Sequence, residues 1–577
     1  MFSGPVVTKE TVIRILEEIA VLLELSGENP FKSRAYRNAA RNLEKLDTDF
    51  IKLVRENKLS EVEGIGDAIN KKITQLVKTG KLDYYEALKN SIPPGHLEML
   101  KIPGLGPKKI HTLYEQLGIK TIGELEYACH ENRLIELKGF GKKTQDNILA
   151  GIEKLKLYKE RRLYAEVAAQ AWTLLDSLAE NKNIIRVSIA GSLRRCSETV
   201  KDIDIVAGSS NAAALADYFA ALPAVAAVLG KGSTKVSVTL QTGINSDLRI
   251  VSDAEYPHAL LHFTGSKEHN TVLRGRAKDR GLKINEYGLW RDGENIACRN
   301  EAEIFSHLGL QYIPPELREN MGEIAAAEKG NLPVLVEEDD ICGLFHVHTN
   351  SSDGGDALES MVQAAKKMGL KYLGISDHSQ SAYYAGGLKK EEIVKQHKLI
   401  DDLNKKQAPF YIFKGIESDI LPDGSLDYTD DILAGFDFVI AAIHSNFNMS
   451  GAEMTTRIST ALQNPYTTML AHPTGRLLLA REPFAVDIGE IIDAAARYDK
   501  IIELNANPHR LDLDWRHCIQ ARKKGVKISI NPDAHHITGL ADISLGIKIA
   551  RKGWLEKSDC INCLNLKEMK AYLSRKD

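Results

Sequence analysis

The chain has few cysteines, no long apolar run and no excess of positive charge. Its 577 residues include only 7 scattered cysteines, which excludes a disulfide-stapled scaffold and makes a reducing cytoplasm the expected setting. Cys560 and Cys563 form an isolated C-x-x-C with no second pair, so no structural zinc site is expected there. No apolar stretch approaches the ~20 residues that span a bilayer, so no membrane association is expected. The first residues read as a charged helix (TKETVIRILEEIAVLLELSG) rather than a signal peptide. A formal net charge of −3 excludes a broad positive field as the means of holding nucleic acid. Any such contact has to come from local patches and backbone amides. The length implies several domains.

The stretch GSLRRCSETVKDIDIV, residues 191–206, carries the most information. Asp202 and Asp204 sit two apart in an apolar run, and side chains at i and i+2 of a strand share a face. Asp-x-Asp is common on solvated strands. Here Ile203, Ile205 and Val206 mark a buried strand, where paired carboxylates are costly unless a cation compensates. The Gly-Ser turn and its arginines stand beside them as a phosphate holder. The stretch resembles the palm signature of the family X DNA polymerases, the group of DNA polymerase beta. The resemblance implies that Gly191, Ser192 and Arg195 bind the incoming triphosphate, and that Asp202 and Asp204 hold two Mg2+ or Mn2+ ions with Asp247 of NSDLRIV as third carboxylate. Two such cations about 3.5–4 Å apart activate an attacking hydroxyl and stabilise the leaving pyrophosphate. Residues 262–290 resemble the family's nucleotide-selecting segment. His262, Phe263 and Gly265 then line the sugar, and Asn270 and Arg274 touch the new base pair and template. Family members often carry Tyr where this chain has His262.

Three segments in the first third repeat one pattern: VEGIGDAINKKITQL, IPGLGPKKIHTLYEQL and LKGFGKKTQDNILAGI. Each places Gly-x-Gly (Gly64 and Gly66, Gly104 and Gly106, Gly139 and Gly141) before a helix-like stretch, the helix-hairpin-helix arrangement. Glycine permits positive φ and close backbone approach, and the helix N-terminus offers free N–H groups to a phosphate. Such contacts hold DNA without reading its sequence. NPFKSRAYRNAA followed by EGIGDAINKKI resembles the small lyase domain of polymerase beta. That implies Lys72 as Schiff-base lysine and Lys32 and Tyr36 as contacts to a gap phosphate. Ala68 stands where animal relatives carry a basic residue, and a solvated helix lysine is the alternative reading of Lys72.

Beyond residue 317 an acidic, irregular stretch reads as a linker, and a second site follows. His346 and His348 alternate in ICGLFHVHTNSSDGG. Later apolar runs end in Asp377 and His378, Glu417, His444, His472, Glu503 and Asn505, and Asp533 and His535. Helical stretches separate these runs, which implies a β/α barrel whose strand ends bring the ligands together. This half resembles the PHP (polymerase and histidinol phosphatase) family, a distorted (β/α)7 barrel with three metals. The resemblance implies His346, His348, Glu417 and Asp533 around one metal. It puts Glu417, His444 and His472 around a second, and Asp353, His378 and His535 around a third. Imidazole with carboxylate suits Zn2+, Mn2+ or Fe2+. Arg476 is either a phosphate contact or a surface residue.

The expected architecture is a lyase-like helical domain (1–90), a fingers-like domain with two helix-hairpin-helix motifs (91–160), an α+β nucleotidyltransferase palm (161–255), a thumb-like domain (256–316), a linker (317–340) and a PHP domain (341–577). The expected function is a monomeric, cytoplasmic gap-filling DNA polymerase that acts on gapped or nicked DNA with dNTPs. A 3′–5′ exonuclease sits in the PHP domain, and abasic-site lyase or endonuclease activity stays open. The alternatives are a small-molecule phosphoesterase with a DNA-binding appendage and an end-binding factor with relic sites.

Overall fold

A computed structural model describes residues 7–44, 50–56, 58–62, 64–135, 137–156 and 161–574. The chain separates into two compact units, Met1–Leu155 and Lys156–Asp577. In the first unit, all regular structure among the described residues is helical. Its opening helix, Lys9–Leu25, starts where the Thr8 hydroxyl accepts from the Thr11 N–H at 3.3 Å. Val12, Leu16, Ile19 and Leu23 recur at helical spacing and are buried. One apolar cluster runs from Val7 to Ile152, so the division expected at 90/91 falls inside a shared core. The boundary expected at 160/161 adjoins residues 157–160, which lie outside the described residues.

The second unit contains a five-stranded sheet. Its strands are β1 (Ile184–Ile189), β2 (Asp202–Ser209), β3 (Val225–Lys231), β4 (Lys235–Leu240) and β5 (Asn245–Val251), in the order β1-β2-β5-β4-β3. β2 and β5 are parallel, and the other neighbours are antiparallel. Ile203, Ile205, Leu248 and Ile250 are buried in one core beneath the helices Tyr164–Ala179 and Ala212–Ala220. Strand alternation therefore sends Asp202, Asp204 and Asp247 to the opposite face.

Helices Tyr256–Thr264, Lys267–Asp279 and Glu301–His307 and the hairpin Leu282–Asn285/Gly288–Arg291 enclose a separate small core. Residues 317–340, expected as a linker, are packed. Leu317, Ile324, Ala327 and Leu335 join that core, and Arg318 is fully buried against Glu301 at 2.6 Å. The acidic residues flanking and ending this stretch face basic partners on the barrel: Glu316 and Glu337 meet Arg551, and Asp340 meets Lys557.

The barrel strands are β6 (Gly343–Leu344), β7 (Tyr372–Ile375), β8 (Tyr411–Asp419), β9 (Phe438–Ala442), β10 (Met469–Leu470), β11 (Ile501–Asn505) and β12 (Ile528–Asn531). All seven are parallel and follow chain order. A bridge between Val347 and Ala534 joins first to last, with the His348 N–H donating to the Ala534 carbonyl at 3.0 Å. Helices cover the outside, so strands such as β9 and β11 are buried on both faces and read as apolar runs. The buried cores of palm and barrel join in one apolar cluster.

Candidate active sites

The first site forms where β2 and β5 run side by side. Their register sets Asp204 opposite Asp247 and Asp202 opposite Asn245. The Gly191–Arg194 turn lies against this face. Gly191 has φ +61°, and a Cβ there would fall 2.1 Å from Asp204 Oδ2. Only glycine allows both the backbone angle and that approach. Burial, then the charges of Asp202 and Asp247, pushes the Asp204 carboxyl up to about 6. Burial, then Asp247, also raises Asp202. Asp247 is held from β4, accepting from Ser237 Oγ at 2.6 Å and pairing with Lys235 Nζ at 2.6 Å. Three carboxylates gathered on one sheet face form an oxygen cage suited to a hard divalent cation.

An open cavity of about 490 Å³ adjoins Asp202 and Asp204. Gly191, Ser192, Arg195, Asp202 and Asp204 line one side of it. His262, Phe263, Gly265, Asn270 and Arg274 line the other, so every residue assigned to nucleotide binding borders one space. Lys267, not singled out from sequence, borders it as well. Asn270 Nδ2 donates to the His262 carbonyl at 2.8 Å, and the Arg249 guanidinium lies 4.6 Å from the Phe263 ring centroid. Burial holds the His262 imidazole below its usual value despite Glu286. His262 therefore presents a neutral ring.

The Asp204 shift has a stability consequence in the metal-free protein. Its native carboxyl binds a proton more tightly than the unfolded chain, whose reference value is 3.8. The resulting destabilisation is fully present above about pH 6 and is gone below pH 3.8. Asp204→Asn therefore stabilises the metal-free protein by roughly 2 kcal/mol at pH 8 and by little at pH 3.5. Thermal unfolding in chelator at both pH values checks this, and an unchanged or lowered Tm at pH 8 contradicts it.

The second site lies at the strand ends of the barrel. His346 and His348 follow β6, His378 follows β7, Glu417 lies in β8, His444 follows β9, His472 follows β10, and Asp533 and His535 follow β12. Asp353 comes from the loop after His348. Glu417 stands at the centre. Its Oε1 lies 3.2 Å from His346 Nε2, 3.3 Å from His444 Nε2 and 3.0 Å from His472 Nε2, and its Oε2 lies 2.9 Å from His378 Nδ1. Asp533 Oδ1 lies 3.3 Å from both His346 Nε2 and His348 Nε2. Asp353 lies 3.4 Å from His378 Nε2 and from His535 Nε2. The ligand atoms of His348, Asp353, His378 and His535 fall within one metal-sized group, as do those of His346, Glu417 and His472. His378 groups with Glu417 and His444 as well as with Asp353.

The donor set fits cations. His346 Nε2, both ring nitrogens of His348 and Asp353 Oδ2 are buried without a hydrogen-bond partner among the described residues. Each such atom costs about 1–3 kcal/mol unless something binds it. Burial, then His535 and His378, pushes the His348 imidazole down to about 3. Burial, then Arg510, pushes His472 down to about 4. Both rings are therefore neutral donors. Burial would raise Glu417, but His346, His444 and His378 hold it well below the usual carboxylate value.

A second layer orients these ligands. Glu503 Oε1 lies 2.6 Å from His346 Nδ1, and its Oε2 accepts from the His472 N–H at 2.8 Å. Asp419 Oδ1 lies 2.7 Å from His444 Nδ1. Carboxylates behind ligating histidines fix the tautomer and ring orientation. Asp377, named from sequence with His378, serves the loop instead. It accepts from the Thr349 N–H and hydroxyl, Ser352 Oγ and Gln396 Nε2. Arg476 is not a surface residue. It is buried, pairs with Asp514 at 2.8 Å and with Glu198, and donates to the Arg510 and Leu511 carbonyls.

In the first unit, Gly64, Gly104 and Gly139 have φ of +79°, +80° and +89°. Gly66 and Gly106 cap the helices Asp67–Thr79 and Pro107–Leu117, and Gly141 precedes Lys142–Lys156. A Cβ at Gly66, Gly104, Gly106, Gly139 or Gly141 would meet nothing within 4 Å, so these turns are open to approach. Lys72 Nζ lies 4.4 Å from the Tyr84 ring centroid and 5.9 Å from that of Tyr36. Lys32 is taken by Glu28 at 2.8 Å.

Family models match in four places. They are a helix-hairpin-helix domain (8–82), a SAM-like helix-hairpin-helix tandem (97–154), the DNA polymerase beta thumb (259–319) and the PHP domain (345–507). A Bacillus subtilis protein, "DNA polymerase/3′-5′ exonuclease PolX", is 40% identical over 573 residues, covering 99% of this chain and 100% of that protein. This chain belongs to the family X polymerases that carry a PHP domain. Other relatives match this family X chain over part of its length. A "Probable phosphatase" of Caldicellulosiruptor bescii is 32% identical over 206 residues, 33% of this chain and 78% of that protein. Human "DNA-directed DNA/RNA polymerase mu" is 38% identical over 78 residues, 13% of this chain and 16% of that protein.

Proposed function

We propose that the chain is a gap-filling DNA polymerase with its own 3′–5′ exonuclease. Polymerisation uses the carboxylate site on β2 and β5, and degradation uses the barrel cluster. The observation that carries this reading is the single cavity that joins Asp202 and Asp204 to every residue expected to touch the nucleotide. Asp202, Asp204 and Asp247 would hold Mg2+ or Mn2+, which when bound activates the primer hydroxyl and neutralises the pyrophosphate. Arg195, Ser192 and the Gly191 turn orient the triphosphate. Phe263 and His262 face the sugar, and Asn270 and Arg274 face the base pair. Positioning and charge neutralisation supply most of the rate in phosphoryl transfer.

In the barrel, His346, His348, Glu417 and Asp533 would hold one metal of a trinuclear Zn2+, Mn2+ or Fe2+ cluster. Glu417, His444 and His472 would hold a second, and Asp353, His378 and His535 a third. The cluster when bound supplies hydroxide at neutral pH for attack on a terminal phosphodiester. Glu503 and Asp419 keep the ligating rings aligned. The open helix-hairpin-helix turns hold gapped or nicked duplex by backbone contact. The helical unit, the sheet with its carboxylates, the thumb-like part and the barrel divide these roles, with the protein acting as a cytoplasmic monomer. No helix among the described residues is long and apolar enough to cross a membrane.

Purified protein given a 5′-labelled primer on gapped duplex, divalent metal and dNTPs is expected to extend the primer. Without dNTPs it is expected to shorten it from the 3′ end. Hydrolysis of a phosphomonoester with no action on primer ends would favour the small-molecule phosphoesterase suggested by the probable phosphatases. The lyase question has its own test. Lys72 Nζ stands beside the Tyr36 and Tyr84 rings, so its amine has a fixed place in the helical unit. Borohydride is expected to trap wild type, but not Lys72→Ala, on abasic-site DNA. An equal yield from both proteins removes Lys72 from the reaction.

A further inference from the structure

Arg195, which lines the nucleotide cavity, is held by protein partners through two of its guanidinium nitrogens. Its Nε bonds Glu319 Oε1 at 3.0 Å, and its Nη1 donates to the Thr264 carbonyl at 2.5 Å. The same Glu319 oxygen accepts from Lys552 Nζ at 2.5 Å. Lys552 ends the barrel helix Ile543–Lys552, is 2% exposed, and also donates to the Arg195 carbonyl at 2.9 Å. Its ammonium lies 4.8 Å from the Trp515 ring centroid. One half-sequestered carboxylate is therefore shared by two cations, one from the polymerase site and one from the barrel. Burial would raise Glu319, but Lys552 and then Arg195 hold it below its usual value. The barrel grips the same palm loop a second time, through Arg476 on Glu198.

The arrangement has a consequence for nucleotide binding. A triphosphate that recruits Arg195 has to take it from Glu319. A buried carboxylate stripped of its partner is costly. Lys552 removes that cost, because Glu319 keeps one cation after Arg195 leaves. Without Lys552 the whole charge of Glu319 falls on Arg195. We propose that Lys552 of the PHP barrel and Glu319 are positioning residues of the polymerase site. Glu319 parks Arg195, and Lys552 receives Glu319 when Arg195 turns to the nucleotide. The barrel is thereby part of the nucleotide pocket, through a residue that touches neither nucleotide nor metal. The proposal rests on the gap-filling reading above.

The test is steady-state single-nucleotide insertion into gapped duplex by the full chain, with KM for dNTP and kcat read separately. Lys552→Met is expected to raise KM about tenfold with little change in kcat, and Lys552→Arg to stay within about twofold of wild type because the charge is retained. Glu319→Gln is expected to lower KM. The double variant is expected to match Glu319→Gln, since Lys552 acts only through Glu319. Primer degradation in the absence of dNTPs, read on the same preparations, reports folding. A KM rise in Lys552→Met that persists in the Glu319→Gln background overturns the proposal. So does an unchanged KM in both single variants, or a fall in kcat alone. If wild type inserts no nucleotide, the gap-filling reading itself fails, an outcome separate from these.

Discussion

Replacing both Asp202 and Asp204 by alanine is expected to reduce nucleotide insertion at least about a thousandfold, because the lost cation-held charge stabilisation is worth several kcal/mol and each 1.36 kcal/mol is tenfold. Degradation of the same primer is expected to continue at the wild-type rate. The physical basis is local. The two side chains share one face of β2, and Asp247 joins them across the parallel register. Asp247 alone, already paired with Lys235, cannot hold two cations. The variant should fold, because the substitutions remove carboxylates whose charged forms burial penalises. Primer extension and shortening on denaturing gels check both halves of this expectation.

The complementary substitution, His346→Ala with His348→Ala, is expected to remove primer degradation by a comparable factor and to leave insertion intact. His346 meets Glu417, Asp533 and Glu503, and His348 meets Asp533 and faces Asp353 at 3.8 Å. Their loss leaves Glu417 and Asp533 buried with fewer cationic or metal partners, so the cluster loses affinity as well as geometry. Elemental analysis of the variant should show less bound metal than wild type. Chelation of wild type should abolish degradation and lower Tm, and metal should restore both, since a ligand bound only by the native state stabilises it. Full degradation by the doubly substituted protein would remove the barrel cluster from the reaction.

Much of this was legible in the sequence because the chemistry sits at regular strand positions. Asp202 and Asp204 obey strand alternation, and their apolar neighbours marked the strand as buried. The barrel ligands other than Asp353 could be read although they span residues 346 to 535, because they end or follow apolar runs, whereas Asp353 lies in a polar loop and was named from the family resemblance alone. Asp419 was within reach of the same logic, being two residues from Glu417 on β8 and therefore on its face. Arg476 was not legible. A lone arginine near a ligand motif has no local signature that separates a phosphate contact from a buried clamp. Its partners, Glu198 and Asp514, are distant in sequence. Glu319 and Lys552 lie 233 residues apart, and nothing in either neighbourhood names the other. The stretch 317–340 misled by composition. Its acidic, irregular sequence suggested a linker, whereas Glu337 and Asp340 meet Arg551 and Lys557 on the barrel while its apolar residues fill the thumb core.

The central claim is that two independent metal sites on one chain add and remove the same primer end. The most direct measurement follows one labelled gapped duplex, with and without dNTPs, for wild type, the Asp202/Asp204 double variant, the His346/His348 double variant and a mixture of the two variants. The first variant is expected only to shorten the primer, the second only to extend it, and the mixture to do both. A folded variant that loses both activities, or one that loses neither, contradicts it.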